Sequence, residues 1–260
     1  MSGAGSYGDP EADAVSAEAD RLKLQATRLW HRERAVLERL GLEREQRILE
    51  VGCGTGALLG RVIKDFRPRK LVGVDLADAS VRRAGVLAQV ARADGAALPF
   101  ADGSFDVVLF RFVLRHAPDA ARLVAEGRRV LATGGRIIAV DADDGSLLLD
   151  PPPRGFVELS DALERSARRR GGDPFVGRKL RRLLLDAGLG DARADVLAVS
   201  TADVGAPAFV DVFLAPNARP IDPELMPADA AQAAWAEVRA WTGRPDAFAC
   251  ATGFFASGQK

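Results

Sequence analysis

Two cysteines, two histidines, two methionines and one tyrosine are all that 260 residues contain of those types. Cys53 and Cys250 stand far apart, so no disulfide framework can staple the chain, and such cysteine usage suits a reducing cytoplasm. His31 and His116 are too few for a His-rich zinc site, and no metal is expected. Net charge is missing as well. Lys plus Arg (36) equals Asp plus Glu (36), so no overall field draws the chain to nucleic acid or an anionic membrane. No apolar run reaches the ~18 residues that span a bilayer. The opening residues also lack the basic start and apolar core of a signal peptide. These absences describe a soluble cytoplasmic protein with neither nucleic-acid nor membrane partners.

What is present is material for a core. Hydrophobic residues make up 48% of the chain, which suits a globular α/β fold and excludes wholesale disorder. Residues 1–17 hold almost no large apolar group and read as a disordered lead-in. Leu22, Ala26, Leu29, Leu37 and Leu40 then recur at helical spacing and predict an N-terminal helical cap over residues 18–44. Trp30 on that helix belongs either to the core or to a cover over a ligand site. From residue 45 to 145, short apolar strands alternate with helical patterns. The strands end at Val51, Asp75, Ala93, Phe110 and Asp141, and Gly134-Gly135 reads as the stop of the fourth helix. Spacing of about 30 residues implies right-handed crossovers and a doubly wound, mostly parallel sheet.

The rhythm changes after Pro151-Pro152-Pro153. Helical stretches are expected over 156–170 and 177–187, a sixth strand over 195–200, two helices within 203–244, and a last strand over 247–257. Residues 18–260 thus read as one domain, with 146–190 and 203–244 as helical insertions.

The chain is organised around Glu50-Val51-Gly52-Cys53-Gly54-Thr55-Gly56. A strand carrying one acid enters a turn with glycines at alternate positions, and the apolar helical pattern of Leu58, Leu59, Val62 and Ile63 follows. Glycines let a ligand approach the main chain at the carboxyl end of a first strand. Gly52, Gly54 and Ala57 also satisfy the dinucleotide fingerprint, so the loop alone permits either cofactor class. Asp75, at the end of the second strand, can accept both hydroxyls of a ribose. Asp94 can accept from an adenine amine, beside the backbone donors of Gly95 and Ala96. Glu50 inside its strand is costly unless paired, and a ligand ammonium or the loop N–H groups would satisfy it. Three acids favour a nucleoside ligand that carries positive charge.

These pieces, with Leu98-Pro99-Phe100, Ser104 through Val108, Val113 through Asp119 and Arg128 through Leu131, closely resemble the class I S-adenosylmethionine-dependent methyltransferases, particularly their small-molecule branch. The resemblance spans residues 45–145. It implies a seven-stranded Rossmann-like sheet whose antiparallel last strand lies between strands five and six, with helical lid insertions for substrate. The cofactor would be S-adenosylmethionine, released as S-adenosylhomocysteine. Glu50, Gly52, Cys53, Gly54 and Gly56 would hold its methionine end, and Asp75 and Leu76 would follow the ribose. Asp94, Gly95 and Ala96 would sit at the adenine, with Phe110 and Arg111 bordering the sulfonium.

The implied reaction is methyl transfer to O, N or C of a small molecule, such as a natural-product intermediate. His116 is the candidate general base, or a residue that packs the following helix. Asp141 is a second candidate facing substrate, and Asp143 and Asp144 complete a cluster of acids after the fifth strand. Arg115 reads as an anion binder or a solvated charge. Cys53 is a small packing residue rather than a nucleophile, and the arginines over 165–182 form a solvated face. Two rival functions remain. One is a nicotinamide-dependent oxidoreductase, which lacks a catalytic tyrosine because Tyr7 lies in the lead-in. The other is an S-adenosylmethionine-binding protein that does not methylate.

Overall fold

Runs of β-branched and aliphatic residues with no polar face make strands that must be covered on both sides, and helices supply the cover. The computed structural model describes residues 29–214 and 221–260. The expected lead-in, and Leu22 and Ala26 of the cap helix, lie outside the described residues. Strands β1 (Arg47–Val51), β2 (Lys70–Asp75), β3 (Gln89–Arg92), β4 (Phe105–Arg111) and β5 (Leu131–Ala142) are parallel, in the order β3-β2-β1-β4-β5. Helices α1 (residues 29–39), α2 (Leu59–Phe66), α3 (Asp78–Ala84) and α4 (Ala120–Val130) alternate with them.

Period-two alternation divides the sheet into two cores. Val107 and Leu109 of β4 pack with Trp30, Leu37, Val62 and Phe66 from α1 and α2. Val108 and Phe110, on the opposite face, pack with Val124 and Val130 of α4. Trp30 is therefore core, edge-on to Phe66, with its indole N–H donated to Asp65.

Past β5 the chain forms β6 (Leu148–Asp150), α5 (Phe156–Arg169), α6 (Leu180–Asp186), β7 (Gly190–Ser200), α7 (Thr201–Val204), α8 (Ala206–Phe209), α9 (Ala228–Trp241) and β8 (Phe248–Gln259). As the resemblance implies, β8 is antiparallel and lies between β5 and β7. A third core joins Phe156, Leu163, Phe209, Trp235 and Trp241 to Leu149 and Ala249 of the β6–β8 pair. The indole of Trp241 donates to the Pro151 carbonyl at 2.7 Å.

Several expectations are corrected. Among the described residues the sheet has eight strands rather than seven. The addition, β6, continues the line of β5 along the same edge of β8, because β5 pairs with Gly253–Gln259 and β6 with Phe248–Cys250. Three residues of strand are too short to produce an alternation that sequence could show. Gly134-Gly135 does not end α4, which runs directly into β5. Phe105 faces Leu131 while Val107 faces Arg136, so the extra β5 residues loop out around the glycines. The expected 177–187 helix splits into a 3-10 turn, Gly177–Lys179, and α6. Strand β7 begins at Gly190 rather than near 195. Ile63, expected on the buried stripe of α2, is exposed, and Leu59, Val62 and Phe66 carry that packing alone.

Candidate functional site

The carboxyl ends of β1, β2 and β3 lie side by side, so the acids that close or precede those ends meet at one edge. At the end of β1 the N–H groups of Gly52 and Cys53 both donate to the Val74 carbonyl, at 2.8 and 3.0 Å, and swing the chain out of the sheet. Gly52 has φ +72° and sits where a Cβ would overlap Val113, so only glycine fits. Gly54, at φ +51°, differs: a Cβ there would meet nothing within 4 Å. One glycine lets the loop pack, and the next leaves open space over the main chain.

Asp75 holds the loop in place. Its Oδ2 accepts the Gly54 N–H at 2.8 Å and its Oδ1 accepts that of Ala77 at 2.9 Å. A carboxylate has about four acceptor sites, so two hydroxyls could still be received. Leu76 follows with 62% of its surface exposed, an apolar group left at the mouth. Asp94, beyond β3, is exposed and accepts the Ala96 N–H at 2.8 Å, while Gly95 is buried against Val51.

Glu50 is the anomaly. It is buried within β1, and its Oε2 has no hydrogen-bond partner. Burial pushes its carboxyl up to about 8; Arg111 opposes this, and Glu33 and Asp75 add to it. Arg111 lies at the end of β4, nearly fully buried. Its Nε and Nη2 donate to the two carboxylate oxygens of Glu33 at 2.6 and 3.0 Å. The guanidinium also sits 4.7 Å from the Phe112 ring centroid. Phe112 itself has φ +54°, a left-handed conformation that an aromatic residue adopts only under constraint.

The acids at the end of β5 and just beyond it are treated differently. Asp141 is fully buried, accepting the N–H of Arg115 at 3.1 Å and of Ala142 at 2.9 Å. Burial raises its carboxyl to about 6, with Arg115 and those backbone donors pulling the other way. Asp143 is clasped by the guanidinium of Arg178, and Asp144 pairs with Arg115 at 2.9 Å. Among the described residues, no group of three His, Cys, Asp or Glu side chains is placed to hold a metal ion.

Several expected site residues are therefore reassigned. The Cys53 side chain packs with Leu59 and Ala84, and burial pushes its thiol well above the ordinary range, so only its main chain belongs to the loop. The Phe110 ring is buried against Gly127 of α4, on the far side from α1. Arg111 is engaged by Glu33, and Asp141 has no exposed surface with which to touch a substrate. His116, itself exposed, ends the 3-10 turn Leu114–His116, whose Leu114 is buried. Arg115 is not a solvated charge: its side chain is mostly buried and pairs with Asp144. The arginine face is solvated as expected, its half-exposed side chains making surface pairs: Arg165 with Asp161, Arg168 with Glu164, and Arg169 with Asp222 and Glu224.

Sequence reasoning missed Glu33. The signal was its place at helical spacing between Trp30 and Leu37, where a charge must be buried with a partner. It also missed Val113, which closes the loop over Gly52.

Comparison with known proteins agrees with this geometry. Residues 49–139 match the family model described as a methyltransferase domain. A demethylmenaquinone methyltransferase of Thermus thermophilus is 37% identical over 129 residues, covering 46% of this chain and 55% of the relative. The chain spans about half the length of the curated relatives it matches. Among solved structures, the YcgJ protein of Bacillus subtilis superposes with a TM-score of 0.59 at 17% identity, covering 87% of this chain and 96% of that one. Phosphoethanolamine N-methyltransferase 2 of Haemonchus contortus, solved with S-adenosyl-L-methionine, gives 0.57 at 19% identity, covering 88% and 52%. The dinucleotide reading of the glycine loop is set aside. Residues 49–139 thus match a methyltransferase domain, and the fold is one shared with solved S-adenosylmethionine-dependent methyltransferases.

Proposed function

We propose that the protein binds S-adenosylmethionine at the Glu50–Gly56 loop and directs its methyl group to an O, N or C atom of a small-molecule acceptor. The carrying observation is the buried, unpartnered Oε2 of Glu50 beside a loop whose main chain stands open at Gly54. A buried carboxylate is tolerated only with a partner, and an amino-acid ammonium supplies one. When bound, S-adenosylmethionine supplies a sulfonium-activated methyl group open to in-line displacement.

The chain's own contribution is binding and placement. Asp75, already fixed by two N–H donors, presents its remaining acceptor capacity to a ribose diol. Leu76, Asp94, Gly95 and Ala96 border the base. The helical segments of 146–190 and 203–244 form the lid that holds the acceptor and excludes water. Such positioning alone can supply about 7–11 kcal/mol of barrier reduction. Phe209, Trp235 and Trp241 build the lid's own core rather than an open wall for substrate. His116 takes a proton where the acceptor carries one of high pKa. Asp141, bonded to the Arg115 N–H, fixes the turn that carries His116 and is a positioning residue. The curated quinone-methylating relatives favour an apolar, ring-containing acceptor.

Calorimetric titration of S-adenosylmethionine into the purified protein, followed by methyl-label transfer to demethylated quinones, tests this reading. Binding and transfer, both reduced in Asp75→Ala, are expected; absence of binding overturns the reading.

A further inference from the structure

Among the described residues, the buried Oε2 of Glu50 has no hydrogen-bond partner. The nearest cation, Arg111 on β4, is engaged by both carboxylate oxygens of Glu33 on α1. Both members of that pair are buried, with 6% and 5% of their side-chain surface exposed. Asp75 on β2 adds a second negative neighbour, the thiol of Cys53 in the loop stays neutral, and Asp141 on β5 also faces Arg111. An ionised Glu50 would be one carboxylate too many for a single guanidinium in a water-excluded pocket. The cheaper state is the protonated acid.

We propose that Glu50 is a proton-coupled gate for the ligand: it holds a proton while the site is empty and releases it to solvent when a ligand ammonium docks against it. This rests on the reading of the loop as an S-adenosylmethionine site. Burial, which pushes the Glu50 carboxyl up to about 8, accords with it. The arrangement makes ligand affinity depend on pH across a range in which an ordinary glutamate would be silent. It also ties the amino-acid end, rather than the adenosine end, to that dependence. The Glu33–Arg111 clasp tunes the gate, because freeing Arg111 would let it pair with Glu50 and discharge the proton beforehand.

The test is titration calorimetry at pH 6 and 7 in buffers of different ionisation enthalpy. S-adenosylmethionine, S-adenosylhomocysteine and methylthioadenosine, which lacks the amino-acid end, serve as ligands. Free α-amino groups titrate at about 7.7–8.0, so the ligand ammonium stays charged over this span. The first two ligands are expected to release about one proton each at pH 7 and to bind about tenfold more weakly at pH 6. Methylthioadenosine should release none, and Glu50→Gln should bind the other ligands without the pH slope. Should Glu50→Gln fail to fold, infrared difference spectra of the wild type decide: a protonated-carboxyl band must vanish on ligand addition. Binding without proton release, an unchanged slope in Glu50→Gln, or no lost band overturns the gate. No binding by any ligand overturns the site reading instead.

Discussion

Buried acids stand near the carboxyl ends of two strands of the sheet, β1 and β5, with β4 between them, and the chain treats them in opposite ways. At the end of β5 and just beyond it, Asp141, Asp143 and Asp144 each meet an N–H group or an arginine within the protein. In β1, Glu50 is left with a bare oxygen. Burial raises both Glu50 and Asp141, but backbone donors and Arg115 restrain Asp141 to about 6 while Glu50 reaches about 8. A satisfied acid is structure, and its energy is already committed. An unsatisfied one beside an open glycine loop is what the proposed ligand ammonium would satisfy.

The comparison can be broken most forcibly at Arg111. Arg111→Ala leaves Glu33 buried without its cation, and urea unfolding should show a loss of about 3–5 kcal/mol.

pH should separate the two acids. A carboxyl raised in the folded state contributes stability that is full below its unfolded value and is lost as pH rises through its folded value. Ligand-free stability should therefore fall from about pH 4 up to 8, by a few kcal/mol. Relative to wild type, Glu50→Gln should lose the whole of that fall between pH 6 and 8 and part of it below pH 6. Asp141→Asn should only lessen the fall below pH 6 and keep the rest. Identical profiles in denaturation curves across pH would erase the distinction.

Gly52→Ala should cost about 2–4 kcal/mol, from its left-handed backbone and the overlap with Val113. Asp75→Ala should lower stability by about 1–2 kcal/mol, because the Gly54 and Ala77 donors lose their acceptor. It should weaken S-adenosylmethionine binding by at least about tenfold, an affinity change of ~1.4 kcal/mol. Asp144→Asn is the mildest. It removes one charge from the Arg115 pair and should leave ligand affinity within about twofold, as a purely structural acid must.

Sequence made one half of this contrast plain and concealed the other. Glu50, the glycines, Asp75 and Asp94 were legible because turn geometry and strand ends are local matters, written in adjacent residues. The partners that decide each acid's role were not. Glu33 lies 78 positions from Arg111, and Arg178 lies 35 from Asp143. Phe110 was misplaced for a different reason. A strand buried on both faces has no polar alternation to reveal which side chains point to the site. The tryptophans of α9 were equally ambiguous, since a lid wall and a lid core use the same residues.

Titration of S-adenosylmethionine into wild-type protein, Asp75→Ala and Asp144→Asn bears most directly on the central claim that the Glu50–Gly56 loop and Asp75 form its site. One saturable site in the wild type, strongly weakened in Asp75→Ala and preserved in Asp144→Asn, is the expected result. No binding, or equal affinity in wild type and Asp75→Ala, would contradict it.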